Sequence, residues 1–331
     1  MSVFGLTEFL NRDSSIKADG SSDLWRVDSA FCVPGFWVSL AALARHNDIS
    51  YEQIIVTDEG RHRGYCEAIG LPAALRAGDP YPYYRKNEGH NYSPLVLLDD
   101  ASLTDRATTD VNGCIRQLGH GLEVDRFTSQ LCEVVGDLHD NVWSHGKSTG
   151  FSMAQRWKDF RNSGEHVFEF ALADCGIGFL REMRRVGLEP RDNEEAIQWC
   201  IQRGNSSKLH AAQRSDDDWS QWMPPDMTGN PMGGVGLIKT SDNHHQGLGL
   251  AKLVSLVESY CGELCLTTGN SVLTVDSNGR RSFRTPRHEW PGVALSCRFS
   301  SIQIKRCAEA AVEMTDSITI DLMKLLGGGH E

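Results

Sequence analysis

Three short segments in the second half of the chain carry residue types suited to holding a nucleotide. They are Asp137-Leu-His-Asp-Asn141, Asp174-Cys-Gly176-Ile-Gly178 and Gly247-Leu248-Gly249-Leu250. Glu133, Asp137, Asn141 and His145 fall four apart, so a helix would place them on one face. The Asn141 amide offers a neutral oxygen to a hydrated magnesium ion, which takes only one or two ligands from protein. Asp137, one turn earlier, is placed to orient or deprotonate a water near a terminal phosphate. A solvated polar face accounts for the same four residues. Asp174 closes an apolar run, where its carboxylate can accept a hydrogen bond from an exocyclic amine such as adenine N6. Gly176 and Gly178 permit a tight turn and a close approach of a ring to the backbone. An ordinary strand-to-loop turn has the same composition. Gly247 to Leu250 opens a helix, and the unpaired N–H groups at a helix start bind phosphates. A glycine N-cap is the competing reading, and the Walker pattern Gly-x-x-x-x-Gly-Lys-Ser/Thr is absent.

For these residues to meet, the chain must supply a helix, a strand end and a second helix. The spacing of Val124, Phe127, Leu131, Val134, Leu138 and Val142 predicts an amphipathic helix over 123–144. A strand is predicted over 166–173, and helices over 193–203 and 248–260. Hairpin strands follow over 263–267 and 271–275, and a last strand over 293–299. Between them, residues 204–246 are rich in Gly, Pro, Asp and Ser, with little apolar pattern. Upstream, strands are predicted over 24–34, 52–57 and 94–98. Helices over 36–46 and 63–75 separate them, the pattern of a small α/β domain. No catalytic cluster is legible in that part.

The whole chain has 331 residues, more than one hydrophobic core usually serves, so two domains are expected. A hydrophobic content of 40% with 23% charged residues suits a globular protein. The net charge of −11 repels phosphate backbones and argues against non-specific nucleic-acid binding. The 10 cysteines include no Cys-x-x-Cys pair and sit mostly in apolar runs, as expected of buried free thiols in a reducing compartment. No signal peptide or membrane span is expected, and a cytoplasmic location follows.

Taken together and in order, the three segments resemble the N, G1 and G2 boxes of the GHKL ATPases, which include gyrase, histidine kinases and anti-sigma-factor kinases. The resemblance covers about residues 123–300. It implies a two-layer α/β sandwich of the Bergerat type over 119–305, with Mg-ATP as ligand. It assigns Asn141 to magnesium and Asp174 to adenine, with Gly176 and Gly178 among the nucleotide-binding residues. Gly247, Leu248, Gly249 and Leu250 then belong to the phosphates, and 204–246 forms a mobile lid. Pro291-Gly292-Val293 is similar to the Pro-Gly-Thr before the last strand of that family. Hydrolysing members usually carry Glu where Asp137 stands, one methylene shorter, which puts turnover in more doubt than binding. Segments such as Phe31-Cys-Val-Pro-Gly-Phe36 and Asn91-Tyr-Ser-Pro-Leu95 also look like bacterial proteins in which a STAS-like domain precedes such an ATPase. That resemblance implies a STAS-like α/β domain over 1–118, a protein partner reached through it, and a C-terminal helix and tail over 306–331. The implied output is an ATP-driven regulatory switch with slow hydrolysis at Asp137. Alternatives are an anti-sigma-like Ser/Thr kinase and a nucleotide-dependent scaffold without turnover. A homodimer is compatible with the family.

Overall fold

The computed structural model describes residues 3–11, 24–27, 31–56, 61–119, 124–142, 149–159, 164–205 and 249–311. Their order begins with β1 (Val3–Phe4), α1 (Leu6–Asn11), β2 (Trp25–Val27), β3 (Phe31–Cys32) and α2 (Pro34–His46). Next come β4 (Ile54–Val56), α3 (Arg61–Ala68), α4 (Leu71–Ala74), β5 (Val96–Leu98), α5 (Ala101–Gly119) and α6 (Asp125–Asn141). The second half contains β6 (Gly150–Lys158), β7 (His166–Asp174), α7 (Gly178–Arg185), α8 (Asn193–Cys200) and α9 (Gly249–Ser259). It closes with β8 (Glu263–Gly269), β9 (Ser271–Val275), β10 (Arg281–Arg284) and β11 (Trp290–Ser300). A helix over 301–311 follows. Among the described residues, no helix is long and apolar enough to cross a membrane.

The centre is a mixed α/β arrangement around one seven-stranded antiparallel sheet, in the order β10-β9-β8-β11-β7-β6-β5. Side chains alternate between the two faces of a strand, and β7 makes the consequence visible. Phe168, Phe170 and Leu172 enter one core with Leu131, Leu138 and Leu253 from α6 and α9. Ala171 and Ala173 enter the other with Phe36, Trp37 and Leu40 from α2. On β11 the split is repeated: Leu295, Cys297 and Phe299 face the first core and Ala294 the second.

Helices therefore cover both faces. α6 forms because Phe127, Leu131, Val134, Val135 and Leu138 recur every three or four residues and all are buried. α2 is buried nearly all round, and each large apolar side chain such as Phe36 or Leu40 contributes about 1.5–3 kcal/mol by leaving water. Its first turn meets the sheet closely. Gly35 donates its N–H to Glu169 Oε1 at 2.7 Å, and a Cβ on Gly35 would lie 2.8 Å from the Leu6 nitrogen. Glu169 on β7 is fully buried and also accepts from Arg298 Nη2 at 2.8 Å and Nε at 3.0 Å. One buried carboxylate thus joins a helix start to two central strands.

Several predicted elements change. The strand predicted over 24–34 is two short strands, β2 and β3, and α2 already starts at Pro34, whose fixed φ and missing N–H suit the first helical position. β2 pairs in parallel with β4, as a small α/β unit would have it. The strand predicted over 94–98 forms, but β5 pairs antiparallel with β6, so the first hundred residues contribute a strand to the large sheet. The N-terminal helices share a core with that sheet instead of closing one of their own. α5, β6, α7 and β10 had no counterpart in the predicted elements.

Candidate functional site

α6, the end of β7, α7, α8, the first turn of α9 and the start of β11 surround a cleft with about 850 Å³ of empty space, part of it open to solvent. Of the residues singled out from sequence, Asn141, Asp174, Gly178 and Leu250 line it together. Its walls are otherwise mainly apolar, with Leu138, Leu172, Phe179, Met183, Trp199 and Leu295 among them. Asn205 also reaches it.

Asp174 is the most constrained of these groups. It ends β7, is 4% exposed, and accepts the Gly176 N–H on Oδ1 at 2.7 Å. Burial pushes its carboxyl up to about 6, against the opposing pull of the Gly176 and Val293 N–H groups. Its own carbonyl accepts from Trp290 Nε1 at 2.9 Å. Gly292 presses on it from β11: a Cβ there would lie 2.5 Å from Asp174 O, Asp174 Oδ1 and the Gly176 nitrogen. The register of β11 shifts between Trp290 and Val293, which lets Pro291-Gly292 wrap the carboxylate. Gly178 has φ +69°, and a Cβ would meet Thr268 Oγ1 at 2.8 Å. Thr268 donates to Gly292 O at 2.8 Å and accepts the Phe179 N–H at 3.4 Å. Glycine is required at both positions, by close approach at Gly292 and by backbone sign as well at Gly178.

Asp137 stands elsewhere. It is 3% exposed on α6 and is not among the residues lining the cleft. Its Oδ2 accepts from Lys252 Nζ at 3.0 Å, and the same ammonium donates to Glu133 Oε1 at 2.6 Å. Burial alone would lower the Lys252 pKa, but the bonds to the two carboxylates raise it. Gly249 brings α9 against this point, since a Cβ there would lie 2.8 Å from Asp137 Cβ. Two residues along α6, His139 is fully buried between Thr108 Oγ1 (2.9 Å from Nδ1) and Ser152 Oγ (2.7 Å from Nε2), and burial pushes its pKa down to about 3. α6 is therefore tied to α5, β6 and α9 by polar bonds as well as by its apolar stripe.

Gly247 and Leu248 lie outside the described residues, as does the predicted lid from 206 to 246. Among the described residues, no three or more His, Cys, Asp or Glu side chains gather as a metal site. A magnesium ion held chiefly by phosphates and water needs fewer, and Asn141, Asp174, Glu182 and Asn205 are the side-chain oxygen groups that line the cleft. Sequence reasoning missed Thr268, Trp290 and Lys252. Lys252 carried a signal, as the lone charged residue of the apolar run Leu250–Val257.

The cleft thus sets a buried carboxylate, Asp174, beside an apolar wall, the Asn141 amide and the first turn of α9. Against known proteins, the chain matches no family model, no curated protein and no solved structure.

Proposed function

We propose that the cleft binds the adenine ring of Mg-ATP and that the protein is an ATP-dependent regulatory switch of the GHKL type. The single observation that carries this reading is Asp174: a carboxylate buried at the cleft, with Oδ1 held by the Gly176 N–H. A carboxylate kept so dry needs a donor partner, and the exocyclic amine of adenine is such a donor. Leu172, Phe179, Met183 and Leu295 offer the ring an apolar enclosure. Asn141 would hold magnesium, and the start of α9 at Gly249-Leu250 would face the phosphates. Magnesium would neutralise phosphate charge. The STAS-like role of the N-terminal residues, a protein partner and a homodimer belong to the same proposal.

The Asp137–Lys252 pair supports a second reading, a nucleotide-dependent scaffold without turnover. A general base must reach the water it deprotonates, and this carboxylate is already engaged beside α9. The two readings separate when labelled ATP is followed with the full chain, its Asp174→Ala variant and its Asp137→Ala variant. Phosphate release lost in both variants supports the switch with Asp137 as base. Binding without release, abolished by Asp174→Ala alone, supports the scaffold, and label passed to a second protein would support a kinase. No binding by the wild type refutes the nucleotide proposal.

A further inference from the structure

The turn after α9 and the helix over 301–311 bring Cys261 and Cys307 together, 46 residues apart in sequence. Cys307 Sγ donates a hydrogen bond to Cys261 Sγ at 3.6 Å. Both thiols are partly exposed, whereas Cys32, Cys66, Cys114, Cys132, Cys265 and Cys297 are buried. Cys261 has φ +49°, a left-handed position that turns the chain between α9 and β8. A disulfide requires the sulfurs at about 2.05 Å, so they must close by roughly 1.5 Å.

We propose that Cys261 and Cys307 are a modification site, a dithiol pair that a low-molecular-weight disulfide converts to an internal disulfide. The exchange balances in two steps. One thiolate attacks a sulfur of oxidised glutathione, forming a mixed disulfide and releasing one glutathione thiolate. The second cysteine, as thiolate, attacks the protein sulfur of that mixed disulfide, forming the Cys261–Cys307 bond and releasing the second glutathione. The two protein thiols lose two electrons and two protons, and both are recovered in two reduced glutathione molecules. The bond would staple the far end of α9 to the helix that continues β11. The near ends of both elements, at Leu250 and Val293, line the cleft. The inference does not depend on what the cleft binds.

The test is a thiol map of the full chain, reduced, freed of reductant and incubated with oxidised glutathione. The expected product is a linked Cys261–Cys307 peptide pair, about 2 Da lighter than the two reduced peptides. It should form at least about tenfold faster than any other linkage and be reversed by dithiothreitol. In a Cys261→Ser variant, Cys307 should stop at the glutathione adduct. Wild-type protein that ends with stable adducts on these cysteines, with both still alkylable, or with other pairs formed as fast, overturns the proposal, whether or not the variant folds.

Discussion

Replacing Asp174 by Asn separates what the residue costs the fold from what it gives the site. The shape is retained, and Oδ1 can still accept the Gly176 N–H. What disappears is a buried negative charge. The carboxyl rises from 3.8 to about 6 on folding, chiefly through burial. Between those values the native carboxyl holds a proton that the unfolded one has released, so its contribution to stability declines as pH rises through that window and stays low above it. Two pH units at about 1.36 kcal/mol each give roughly 3 kcal/mol. In the absence of nucleotide, Asp174→Asn should therefore be about 3 kcal/mol more stable than wild type at pH 7.5, and the difference should shrink toward zero near pH 4. His139 acts in the other direction. Its pKa is pushed down to about 3, so it withdraws stability as pH falls below 6.5. It is common to both proteins and cancels in the comparison. Urea unfolding of both proteins at half-unit steps from pH 4 to 8 measures the difference. A variant less stable than wild type at pH 7.5, or a difference that does not change with pH, would refute the burial argument.

Three further substitutions probe the supports of the site. Gly292→Ala forces a methyl group onto Asp174 and Gly176, and should cost about 1–3 kcal/mol in thermal or urea unfolding. Glu169→Ala leaves Arg298 and the Gly35 N–H without their shared acceptor. Its unfolding free energy should fall by about 3–5 kcal/mol, and proteolysis should release the N-terminal helices first. Lys252→Met removes the ammonium between Glu133 and Asp137 and should destabilise by about 1–3 kcal/mol. Combined with Asp137→Asn it should cost less than the sum of the two, by about 0.5–3 kcal/mol in a double-mutant cycle.

Elements with a strong period were legible from the sequence. α6 and α9 announce themselves because their apolar residues repeat along one face. β6 does not, because its first six residues are buried on both faces and include polar Ser152 and Gln155. Ser152 is there to bond His139, a contact that no local pattern encodes. β5 was legible as a strand, yet its partner was not, since pairing depends on residues fifty positions away. In the site, Asn141, Asp174, Gly178 and Leu250 line one cleft. Asp137 shares α6 with Asn141 without lining the cleft, because α9 approaches closely at Gly249 and delivers Lys252 to its carboxylate. Gly292 and Thr268 matter through close approach across strands, which single-residue propensities do not register.

Nucleotide selectivity tests the central proposal most directly. ATP presents an amine at the ring position where GTP presents a carbonyl oxygen, which the Asp174 carboxylate would repel. Titration calorimetry of the full chain with magnesium should show saturable ATP binding at pH 7.5, at least about tenfold tighter than GTP, a difference of about 1.4 kcal/mol. Asp174→Asn should lose that preference while remaining folded. Equal affinity for the two nucleotides, or no binding of either, would contradict an adenine site at Asp174.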